Sequence, residues 1–215
     1  MSARHESRQS WSVIARCLVA SLALVLIAVL APAGFRLARA EGGPPSGSPL
    51  PAALAPLAPA LVTQQPDLHG CLLADIATSM NLLDLRAGRP PSHTYQEVWN
   101  RYNQMVPGFA SDPYKYPYPW TAGAIAESYG LYISLARHDF TPADVDAWLG
   151  QGAAVIVYQN QGPRNPSHAL ALLAEDGATA RYYDPWYGYR EQREADFYAG
   201  LAPWVTVLTL APKPS

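Results

Sequence analysis

The 215-residue chain carries a formal net charge of -2, with 15% charged residues, 21 prolines and two cysteines. Arg4, Arg8, Arg16, Arg36 and Arg39 against Glu6 give the first forty residues a charge of +4, leaving -6 for the rest. An acidic body without a basic run is a poor nucleic-acid binder. No histidine pair at helical spacing and no cysteine pair offers a metal site, and no cofactor is called for.

In chain order, residues 17–35 are uncharged and strongly apolar, follow three arginines and precede Ala38-Arg39-Ala40. Residues 1–40 therefore read as a secretory signal peptide cut after Ala40, which makes the remainder secreted or extracytoplasmic. Uncleaved, residues 17–35 would tether the chain to a membrane. Residues 41–63 are rich in proline, alanine and glycine and read as a spacer. Residues 64–212 suit one compact domain of about 150 residues.

Within that domain Leu72, Leu73, Ile76, Ala77, Met80 and Leu83 recur at three and four, predicting a helix stopped near Gly88. Thr94 with Glu97 forms a capping box for residues 95–105. Thr121 is placed to cap a helix ending at Gly130. Thr141 caps another, with Pro142 in its first turn and Gly150 past its end. The period then shortens. Residues 131–136, 153–159, 168–176, 178–184 and 204–210 read as strands, with a hairpin turn at Glu175-Asp176-Gly177. Helices first and an antiparallel sheet second give an α+β fold.

The mature chain holds a single cysteine, Cys71, where the first helix begins. Unsatisfied N–H groups and the positive dipole end there favour a thiolate. His168 opens one strand and Asp184 closes the next, so pairing through the hairpin sets them near one end of the sheet. Asp184 can then orient His168 toward Cys71. Gln65, six residues before Cys71, can join the Cys71 N–H in an oxyanion hole, and Gln64 is the alternative donor if the register slips.

The order Gln65, Cys71, His168, Asp184 in "QPDLHGC" and "PSHALALLAEDGATARYYDPW" resembles the papain-like cysteine peptidases, and within them the C39-like group related to bacteriocin-processing peptidases. The likeness covers roughly residues 64–210. It implies N-terminal helices packed on a C-terminal antiparallel sheet. It also implies hydrolysis of a peptide or isopeptide bond through a Cys-His-Asp triad and a thioester. Members usually carry Cys-Gly-Pro, whereas this chain has Cys71-Leu72-Leu73. The alternatives are a non-catalytic peptide- or glycan-binding module on the same fold, or a related Cys-His-Asp acyltransferase or amidase.

Tyr116, Tyr118 and Trp186 are candidate substrate contacts, Trp186 reading more as a packing residue that shields Asp184. His69 sits too close in sequence to Cys71 for a general base. His93 and His138 border helix-start or loop residues and read as solvated.

Overall fold

The computed structural model describes residues 48–63, 70–106, 119–160 and 168–212. The signal or anchor of residues 1–40, and Gln64, Gln65, His69, Tyr116 and Tyr118, lie outside the described residues. Contacts divide the chain into Met1–Gly43 and Pro44–Ser215, and every described residue belongs to the second unit.

Helix α1 (Cys71–Arg86) runs through the core with Leu72, Leu73, Ile76, Met80 and Leu83 buried. It ends where Gly88 takes φ +71°, a left-handed turn that a Cβ would strain. Helix α2 (Tyr95–Met105) is capped by the Thr94 side chain, which accepts from the Glu97 N–H. The Glu97 carboxylate itself leans to His93, Oε1 lying 3.4 Å from Nδ1. Helix α3 (Pro119–Glu127) begins three residues earlier than expected, so Thr121 lies inside it rather than capping it. Helix α4 (Pro142–Gly150) has the full reciprocal capping box of Thr141 and Asp144.

One six-stranded sheet comprises β1 (Tyr132–His138), β2 (Ala154–Gln159), β3 (His168–Glu175), β4 (Thr179–Asp184), β5 (Gly188–Arg193) and β6 (Leu201–Leu210). Its order is β1-β6-β2-β3-β4-β5, and every neighbouring pair is antiparallel. The architecture is α+β. Strand β2 is buried on both faces, which explains its unbroken apolar run: Ala154, Ile156 and Tyr158 meet the α1 side, Val155 and Val157 the opposite side with Val145 of α4. Strand β5 and helix α5 (Glu194–Ala199) were not anticipated. β5 is an edge strand that buries Tyr189 alone, so its sequence "GYREQR" carries no apolar period.

The described part of the expected spacer is ordered structure. Ala52–Ala60 forms a 3-10 helix, and Leu50, Leu54, Leu57 and Leu61 pack with Leu82, Leu173, Tyr183 and Tyr189. Polar bonds fix its exit. The Val62 N–H donates to Thr78 Oγ1 at 3.0 Å, Asn81 Nδ2 donates to the Ala60 carbonyl at 3.3 Å, and Thr63 Oγ1 lies 2.8 Å from the Tyr183 hydroxyl. The domain therefore begins near Leu50, not at residue 64.

Candidate active site

The first residue of α1 is Cys71, so its main-chain N–H has no partner within the helix. Gly70 precedes it as N-cap, and the Tyr95 ring lies against that glycine: a Cβ there would stand 2.7 Å from two ring carbons. Only glycine lets the ring close over this backbone. The thiol is half-buried and has no disulfide partner. Leu72 and Leu73 both turn into the core, so the departure from Cys-Gly-Pro is absorbed by packing.

Strands β3 and β4 supply the next two groups. Ala171 faces Tyr183 and Leu172 faces Tyr182, so the register, carried one step on, sets Leu170 opposite Asp184 and His168 diagonal to it on one face. His168 Nε2 lies 3.1 Å from Asp184 Oδ1, and both side chains are almost wholly buried. The contact is an ion pair rather than a straight hydrogen bond, because the ring N–H does not point along it. Asp184 is held in turn by the N–H groups of Trp186 and Tyr187, which donate to Oδ1 at 2.8 and 3.2 Å. With Nε2 set against Asp184, Nδ1 is the ring nitrogen free for Cys71, which lies within hydrogen-bonding reach of His168.

Burial alone would lower the His168 pKa. The Asp184 carboxylate and the Cys71 sulfur, as acceptors and as negative charges beside the ring, overcome that and raise it to about 10. An imidazolium at neutral pH beside the thiol is the electrostatic condition for a thiolate–imidazolium pair.

The chain thus brings Cys71, His168 and Asp184 together from three separate elements. Trp186 is half-buried in the turn after Asp184, and its main-chain N–H, rather than its ring, is what touches the carboxylate. His93 is not solvated. Its side chain is 9% exposed, with Nε2 3.0 Å from the Tyr132 hydroxyl and 3.4 Å from Asp84 Oδ2. Asp75, one turn after Cys71, is wholly buried beside the site. A lone acid inside an apolar helical run, "LLADIA", was the signal for it.

No protein-family model and no curated protein matches the sequence. Solved structures do. The peptidase domain of Streptococcus ComA, a bi-functional ABC transporter involved in a quorum-sensing pathway, superposes with a TM-score of 0.50 at 14% identity, covering 71% of this chain and 98% of that one. A C39-like protein from Bacillus anthracis superposes with a TM-score of 0.54 at 12% identity, covering 72% and 95%. The chain has the papain-like fold of the C39 peptidases. In this C39-like fold the central helix carries Cys71 at its first position, and the sheet carries His168 and Asp184 on neighbouring strands. At such identities the likeness speaks for the fold, and the chemistry rests on the residues.

Proposed function

We propose that this chain is an exported cysteine peptidase that hydrolyses a peptide or isopeptide bond. The observation that carries the reading is the buried His168 set against Asp184 and within reach of the half-buried Cys71 thiol at a helix N-terminus. In the resting pair His168 already holds the proton, and the Cys71 thiolate Sγ attacks the substrate carbonyl carbon. The oxygen that becomes negative is met by the Cys71 N–H, with Gln65 as the second donor. His168 then protonates the leaving amine, and a thioester remains. Water, losing a proton to His168, attacks the thioester carbon, and the carboxylic acid and thiol are released. Asp184 fixes the ring throughout. The leader at residues 1–40 would place this chemistry outside the cytoplasm.

The test uses the full chain with Cys17→Ala, so that Cys71 is the sole thiol. Incubation with a random peptide library should give fragment pairs whose summed mass exceeds the substrate by one water. Cys71→Ser should lower that rate roughly 10⁴-fold or more while circular dichroism stays unchanged. Products bearing an added amine in place of water would move the reading to acyl transfer. Undiminished turnover by Cys71→Ser would end it. Expression with residues 1–40 attached should yield a protein whose first residue is Glu41 by mass.

A further inference from the structure

Four ionisable side chains, not three, converge at the Cys71 end of α1. Asp75 sits at i+4 from Cys71, the spacing that stacks two side chains on one helix face. It is 0% exposed, and neither carboxyl oxygen makes a hydrogen bond of normal geometry. Ser79 Oγ, one turn further along the same ridge, is also buried and unpartnered. The titratable groups facing Asp75 are Cys71 on its own helix, Tyr158 on β2, His168 on β3, and Tyr183 and Asp184 on β4. His168 is the only cation among them, and it already carries the charges of Cys71 and Asp184. An ionised carboxyl without donors in such a place would cost several kcal/mol. The acid form avoids this.

We propose that Asp75 is a positioning residue of the Cys71–His168 pair: a buried carboxylic acid that competes with the thiol for negative charge and so governs how far the thiol is ionised. The inference rests on the peptidase reading for its purpose but not for its test. The physical basis is that two acids sharing one counter-ion do not ionise independently. With its proton on, Asp75 leaves the thiolate as the anion nearest the helix N-terminus. With its proton off, a second negative charge sits one turn beneath Sγ and pushes the thiol back toward its neutral form. Burial lifts the Asp75 acid well above the usual carboxylate range. The Cys71 charge adds to this, His168 opposes it, Asp184 adds, and the Ala171 main-chain amide is the last and weakest influence, opposing. Asp75 touches no substrate, because no part of it reaches solvent.

The decisive experiment is an infrared titration of the full chain carrying isotope-labelled aspartate, beside Cys71→Ser, with Asp75→Asn to assign the band. A carboxylic-acid carbonyl band should be present at neutral pH and absent from Asp75→Asn. Because the Cys71 charge helps to hold the Asp75 acid up, the band should disappear in Cys71→Ser at a lower pH than in the parent. If Asp75→Asn does not fold, alkylating Cys71 in the Cys17→Ala chain replaces it: the band should shift on alkylation. An aspartate spectrum without an acid band at neutral pH, or a band indifferent to what stands at position 71, overturns the proposal. A buried acid with a merely structural role would give that indifference. Failure of the peptidase reading would be seen instead as absent turnover with the infrared coupling intact.

Discussion

Helix α1 holds two buried aspartates, and their surroundings are opposite. Asp84, near its C-terminal end, accepts from Arg89 Nε at 2.8 Å and from the Tyr132 hydroxyl at 2.7 Å, with His93 Nε2 3.4 Å from its other oxygen. Asp75, near the N-terminal end, has no partner of normal geometry. Each stands close to a histidine: His93 for one, His168 for the other. What separates them is satisfaction. The Asp84 carboxyl has donors on both sides and serves to pin α1 to β1 and the start of α2. The Asp75 end leaves polar groups unpaired beside a thiol, which costs stability and is the kind of expense found where a protein acts.

The comparison can be broken first on activity. Asp184→Asn should leave the ring of His168 in place but remove the charge that holds it as imidazolium, lowering kcat roughly 10³- to 10⁴-fold. Alkylation of Cys71 should persist at a reduced rate. His93→Gln, at the other end of α1, should leave kcat within about threefold, so a large loss there would erase the distinction. The two aspartates themselves then sharpen it on stability. Asp84→Ala strands Arg89, Tyr132 and His93 and should cost about 3 kcal/mol in urea unfolding. Asp75→Asn should go the other way. A carboxyl whose pKa is raised by folding gives stability that is full below its unfolded pKa and is lost as pH rises. Replacing it should therefore raise Tm at pH 8 and do little at pH 4. Equal losses from both substitutions would mean that both ends of α1 are structural.

The legible parts of the sequence were those where a period or a pairing rule acted locally. The α1 run, the Thr141 box and the β3–β4 hairpin each carry their own signal within a few residues. The hairpin is what sets His168 and Asp184 near one another from the sequence alone. Composition misled where it hid a period. In residues 41–63 the prolines and alanines spoke for a spacer, yet Leu50, Leu54, Leu57 and Leu61 recur at four, three and four. They seat the 3-10 helix on Tyr183 and Tyr189. Other features depend on tertiary neighbours and have no local trace: the burial of His93, and the edge pairing of β5. Deleting residues 48–60 should accordingly cost about 2 kcal/mol, from exposure of Leu82, Leu173 and Tyr189. Unchanged stability would restore the spacer.

A third carboxyl tests whether burial without partners always marks chemistry. Glu175 closes β3, where the Tyr198 hydroxyl donates to Oε2 at 2.9 Å and Oε1 is unpartnered. Burial raises its pKa to about 7; the Tyr198 bond lowers it, and Glu194 and Asp146 raise it. It has neither thiol nor imidazole among these partners, so its charge has only a stability role. With an ordinary pKa of 4.5 unfolded and about 7 folded, its stabilising proton is fully in place below the first value and gone above the second. Glu175→Gln should thus match the parent at pH 4 and exceed it at pH 8. Because the residue is partly exposed, solvent screening holds the gain to about 1 kcal/mol or less. Thermal melts at the two pH values would show it, and Cys71 alkylation should be the same in both proteins. If Glu175→Gln instead altered the thiol's reactivity, charge at the far end of β3 would be coupled to the site. The contrast drawn along α1 would then have to be redrawn along the sheet.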